Sequence, residues 1–140
     1  MTSASWLRIS AGLALFQAVA HTIGAVLVAP ETGSAESSVR STMDAFRFSV
    51  AGIERSYLDA YLGSGWTITV MLLASAVLLW QLARFAGDTP GAARPLILTL
   101  AAAFGGTTVV GAVYFVLPPT VLSAAITVCL CAAAFRATGA

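Results

Sequence analysis

Four long apolar stretches govern what this chain can become. They lie at about 9–29, 66–85, 96–117 and 121–137. A helix needs roughly 20 mostly apolar residues to cross a hydrocarbon core. A segment in lipid must also satisfy its own backbone N–H and C=O groups, which a helix does and a lone strand does not. The sequence therefore predicts an all-α protein: a four-helix transmembrane bundle forming a single integral membrane domain over residues 1–140. Composition agrees. The chain is 59% hydrophobic and 9% charged, whereas soluble domains carry about 25% charged residues.

Charge narrows the partners. The seven cationic residues are all arginine, six acidic residues nearly balance them, and the net charge is +1. No basic tract offers a nucleic-acid surface, so none is expected. Arg8 before an apolar core, followed by Ala18-Val19-Ala20, has the outline of a secretory leader and its cleavage site. The apolar run continues past Ala20 to 29, so the expectation is a retained first span.

The links are unequal. Gly87 to Pro95 reads as a turn between the second and third spans, and Leu117-Pro118-Pro119-Thr120 joins the third to the fourth. The 30–65 segment is longer and has a pattern of its own. Val39, Met43, Phe46, Val50, Ile53, Tyr57 and Tyr61 recur every three or four residues, a helical stripe. The expectation is an amphipathic helical cap over about 38–62, started by Ser37 or Ser38 and bent at Gly52. One long helix over 55–85, projecting beyond the membrane, is the alternative. Small residues such as Ala14 and Ala18 mark faces where helices can approach closely, and such faces left outside would favour a homo-oligomer.

His21, the only histidine, sits deep in the first span. An ionisable group at that depth is costly against lipid and faces inward. Gln17 lies one turn before it and Gly24 about one turn after, making a polar, open strip. A packing histidine bonded to Thr107, Thr108 or Tyr114 is the competing reading. A second cluster, Glu54, Arg55, Ser56, Tyr57, Asp59 and Tyr61, adjoins the second span. There Arg55 and Asp59 form either an ordinary solvated i,i+4 pair or part of a lid facing down into the bundle.

Cys129 and Cys131, two apart on one helix, point about 200° from each other and cannot pair. One histidine and two opposed cysteines do not make a zinc site. Phosphate-loop, dinucleotide and nucleophile-elbow motifs are also missing from the sequence. No metal and no cofactor are expected. The leading expectation is a small membrane enzyme of isomerase or cyclase type, acting on a lipophilic molecule by acid/base chemistry in a cavity between bundle and cap. His21 would be base or proton relay, and Glu54 or Asp59 the acid. Arg55 would anchor the substrate, Gln17 would hydrogen-bond it, and Tyr57, Tyr61 and Tyr114 would shape the walls. The alternative is a non-catalytic membrane protein that binds a lipid or a partner, including a second copy.

The pattern His21-x-x-Gly24, a polar loop with an amphipathic segment, then Arg55-Ser56-x-x-Asp59-x-Tyr61-x-Gly63-x-Gly65 resembles small uncharacterised bacterial four-helix membrane proteins, DoxX-like in general architecture. The resemblance implies the four-helix fold and draws attention to His21, Arg55 and Asp59. It carries no activity.

Orientation follows from arginine placement. Arg8, Arg84, Arg94 and Arg136 flank one side of the four spans. Arg40, Arg47 and Arg55 on the other are outnumbered by Glu31, Glu36, Asp44, Glu54 and Asp59. Both termini are expected in the cytoplasm of a bacterial inner membrane. Cysteines introduced at Ser34 and Gly91 read this directly on intact cells. An impermeant thiol reagent should label position 34 and spare 91; the reverse would invert the topology.

Overall fold

The computed structural model describes residues 1–27 and 33–137. The predicted end of the first span at 28–29 lies outside them, as does Glu31. Helix α1, Ser3–His21, passes into a π-helix, Thr22–Leu27. Then come α2 (Ser34–Ala45), β1 (Arg47–Val50), β2 (Ile53–Ser56), α3 (Tyr57–Asp88), α4 (Pro90–Tyr114) and α5 (Leu117–Arg136). Four helical segments, Ser3–Leu27, Tyr57–Asp88, Pro90–Tyr114 and Leu117–Arg136, are long and apolar enough to cross a membrane, and at most 33% of the most apolar window of any of them is buried inside the protein. Helices that are apolar on their outer faces as well as their inner ones belong in lipid. The protein is a multi-pass, all-α membrane protein with four spanning helices.

The chain forms two compact units: Met1–Ala18 with the chain from Met71 onward, and Val19–Val70. The first is built on four helices. Leu7 of α1, Leu79 of α3, Ile97 of α4 and Ile126 and Leu130 of α5 are fully buried, with alanines such as Ala14, Ala83, Ala93 and Ala133 between them. Alanine at these contacts lets backbones come close, and close packing drives helix association where lipid removes the hydrophobic term. α4 and α5 pack against each other. A Cβ added at Gly111 would lie 2.6 Å from Thr120 Oγ1, so any larger residue there forces the Thr120 side chain or a helix to shift.

The links are shorter than the sequence suggested. The Thr89 N–H closes α3 on the Phe85 carbonyl at 2.9 Å, and its own carbonyl accepts from Ala93 at 3.1 Å. One residue thus joins α3 to α4, and most of the expected 87–95 turn is helix. Pro90 stands at the start of α4, where its absent N–H has no partner to lose. Pro95 lies inside the helix. Pro118 and Pro119 fall in the first turn of α5, so both begin that helix and Phe115-Val116 form the link.

In the second unit the expected 38–62 helix is corrected. α2 begins earlier, at Ser34, and ends at Ala45, where Phe46 turns extended (φ −83°, ψ 107°). A β-hairpin follows, with Arg47 opposite Ser56, Phe48 opposite Arg55, Ser49 opposite Glu54 and Val50 opposite Ile53. The same spacings fit both structures. Phe46 and Val50 are four apart, an even number that keeps one face of a strand as well as of a helix. The two-residue turn Ala51-Gly52 then supplies the odd step to Ile53. Phe48, which the helical stripe passes over, completes the alternation. Phe, Val, Ile and Tyr suit a pleated strand. α3 starts at Tyr57, so the second span follows the long-helix alternative and begins well before 66.

The turn has positive φ at both central residues, 51° at Ala51 and 79° at Gly52. That is the twist a tight hairpin needs. Alanine at the first position bears the left-handed cost of roughly 1–2 kcal/mol, which asparagine tolerates better. Ala51→Asn should raise hydrogen-exchange protection of the hairpin amides by about 1 kcal/mol, and Ala51→Val should lower it. Equal protection in both variants would argue against this turn.

Candidate functional site

The deep polar residues act as fasteners between helices. In the first unit Gln17 is only 8% exposed. Its Nε2 donates to Ser123 Oγ at 3.1 Å and to the Pro119 carbonyl at 3.4 Å, tying α1 to the start of α5. Its Oε1 is buried and has no hydrogen-bond partner among the described residues. Tyr114, at the end of α4, is 79% exposed. Thr107 and Thr108, expected as partners of His21, both donate to the Phe104 carbonyl of their own helix at 2.8 Å.

In the second unit His21 Nε2 lies 3.1 Å from the Gly65 carbonyl. A carbonyl only accepts, so Nε2 is the donor. The next residue repeats the connection: the Thr22 and Thr69 hydroxyls meet at 3.0 Å. Gly65 makes the approach feasible. A Cβ there would lie 3.1 Å from Val26 Cγ2, tighter than an ordinary contact. The helix turns π just after His21, and its i→i+5 bonding rotates later residues off the α-helical face. Gly24 therefore leaves the strip expected with Gln17 and His21, and it has open space around it.

The polar cluster before α3 divides by face. Strand alternation puts Phe46, Phe48, Val50, Ile53, Arg55 and Tyr57 on one side of the hairpin, and Arg47, Ser49, Glu54 and Ser56 on the other. Glu54 is exposed and belongs to the polar side. Tyr57 packs edge-to-face between Phe46 (centroids 5.5 Å apart) and Phe48 (5.3 Å). Its N–H donates to the Phe46 carbonyl at 3.1 Å, carrying the pairing one step beyond the strands. The apolar face is uncovered: Phe46, Val50, Ile53 and Tyr57 are all more than half exposed. The packed stripe that the helical cap implied is reduced to these ring contacts, and Val50 and Ile53 stay largely exposed. Tyr61 is likewise exposed on α3.

Asp59 and Ser56 cap α3 reciprocally. The Ser56 N–H donates to Asp59 Oδ2 and the Asp59 N–H to Ser56 Oγ, each at 3.0 Å. This is a capping box, Ser-x-x-Asp, which satisfies two orphan donors of the helix start. Ser56-Tyr57-Leu58-Asp59 just before an apolar run carries that signal in the sequence, where the neighbouring charges of Glu54, Arg55 and Asp59 mask it. Arg55 donates to the Glu54 carbonyl at 2.7 Å, so its guanidinium is not folded onto the capping carboxylate. Arg55 and Asp59 nevertheless share a shallow open depression with Phe48 and Ala60. His21 is not among its lining residues. Of the expected site, then, Arg55 and Asp59 come together; Phe48, which was not among the expected residues, forms a wall beside them and packs on Tyr57, while His21 belongs to a separate helix seam.

Set against known protein families, curated proteins and solved structures, the chain matches none of them.

If His21 is a fastener, its removal affects folding. His21→Ala should cost about 1 kcal/mol, the scale of one hydrogen bond between membrane helices. His21→Gln, which restores a donor, should recover most of that in thermal unfolding in detergent. Unchanged melting in His21→Ala would show that the Gly65 contact holds nothing together.

Proposed function

We propose that this protein is a non-catalytic phospholipid-binding protein of a bacterial inner membrane, with both termini in the cytoplasm and the 33–56 segment outside. One observation carries the reading. The expected base and one expected acid are engaged in the scaffold, His21 on the Gly65 carbonyl and Asp59 in the capping box, and the other acid, Glu54, lies exposed on the polar side of the hairpin. What the second unit presents outward is an uncovered aromatic face joined directly to a spanning helix. The arginine distribution supports the orientation.

A second reading, the cofactor-free isomerase or cyclase acting on a lipophilic molecule, draws on Gln17 Oε1. A buried acceptor without a protein donor costs free energy, and a bound hydroxyl or amine would satisfy it. Native mass spectrometry of the detergent-purified protein separates the two. Phospholipid that co-purifies equally with the wild type, Gln17→Leu and His21→Gln is expected. A non-lipid lipophile lost from Gln17→Leu would replace the lipid-binding reading with the enzymatic one.

A further inference from the structure

The hairpin has a physical problem. A two-stranded hairpin is marginal alone in water, yet this one exposes its apolar side. Val50 is 65% exposed and Ile53 57%. Something must cover that face, and its surroundings indicate what. β2 ends at Ser56 and α3 begins at Tyr57, with no linker between. Between Asp59 and Arg84 the sequence holds no charge, a run of roughly 24 residues, or about 36 Å of helix, against a hydrocarbon core of about 30 Å. Asp59 and the hairpin before it therefore stand at the level of the lipid headgroups. Phe46, Phe48 and Tyr57 are side chains suited to that zone, and tyrosine is enriched there.

Arg55 of that face and Asp59 of α3 are opposed charges with no ion pair between them among the described residues. Arg55 donates one N–H to the Glu54 carbonyl, which leaves the rest of its five-donor fork. Asp59 accepts the Ser56 N–H through Oδ2, and its carboxylate has further acceptor capacity. Both line one open depression, whose other walls are Phe48 and Ala60. A cation, an anion and an aromatic ring in one shallow dish complement a zwitterion. A purely anionic headgroup would meet the Asp59 carboxylate as well as the guanidinium.

We propose that the hairpin lies on the bilayer with its Phe46–Phe48–Val50–Ile53–Tyr57 face toward the acyl chains, and that the depression holds a zwitterionic phospholipid headgroup. The phosphate meets Arg55 and the primary ammonium meets Asp59, with the Phe48 ring beside it. This rests on the lipid-binding reading and assigns its site and its headgroup. Arginine matches phosphate geometry through its planar fork.

The test uses the full chain in nanodiscs of equal parts phosphatidylethanolamine and phosphatidylglycerol, released into native mass spectrometry. The wild type should retain phosphatidylethanolamine over phosphatidylglycerol by about three- to fivefold, the scale of one exposed ion pair. Asp59→Asn keeps an acceptor for the capping box. It should lose that preference while still retaining phospholipid. Arg55→Gln should weaken retention of both lipids. Soluble phosphoethanolamine should not compete, because the apolar face does not hold it. Nitroxides at positions 49, 50, 53 and 54, one at a time with Cys129 and Cys131 replaced by alanine, report depth. Positions 50 and 53 should collide with oxygen, and 49 and 54 with an aqueous nickel complex.

Equal retention of the two lipids by the wild type and both variants would overturn the headgroup site and leave the lipid-binding reading standing. Retention of no phospholipid would remove both. Competition by soluble phosphoethanolamine would replace the bilayer with a free ligand. Aqueous exposure at all four labels would lift the hairpin off the membrane. Spin–spin broadening at position 50 would place a second copy on the face instead.

Discussion

Lipid offers a peptide group no hydrogen-bond partner, and the spanning architecture follows from that. Each crossing must be a helix that closes its own backbone bonds. Once all surfaces are apolar, burial alone no longer selects which helices touch. Contact goes to whatever permits close approach, hence Ala14, Ala83, Ala93 and Ala133 in the interior and Gly111 where α4 meets α5. Large side chains such as Leu15, Phe16, Val109 and Phe135 turn outward.

Against that uniform packing, a few polar bonds add direction. Gln17 to Ser123 and His21 to Gly65 link sequence-distant helices. Apart from the Thr22–Thr69 pair, span hydroxyls such as those of Thr67, Ser75, Thr99 and Thr127 return to a carbonyl one turn back. The distinction matters for function. A histidine inside a membrane invites a catalytic reading, but its partner here is the helical carbonyl of Gly65, an arrangement that suits a seam.

The uncommon part of the protein is the segment that is not spanning helix. A helix that ends at Ala45, a hairpin turning through Ala51-Gly52 and a capping box at Ser56 and Asp59 make an ordered approach to α3. It leaves an apolar face uncovered. In a soluble protein such a face would be an aggregation hazard.

Hydropathy by itself determined the class and the number of crossings, because a run of apolar residues long enough to span leaves the backbone one solution. It also placed Cys129 and Cys131 on opposite faces, since helix geometry fixes that locally; the structure has one buried and one exposed. The hairpin was hidden because Phe46, Val50, Ile53 and Tyr57 satisfy a helical period and, once a two-residue turn is inserted, a strand period equally well. The partners of His21 and Gln17 were hidden for another reason. Local spacing says which face a side chain occupies, but not which carbonyl of another helix will meet it. Only tertiary structure decided that, because a contact such as His21 with Gly65 needs two helices at one depth and a missing side chain to let them close.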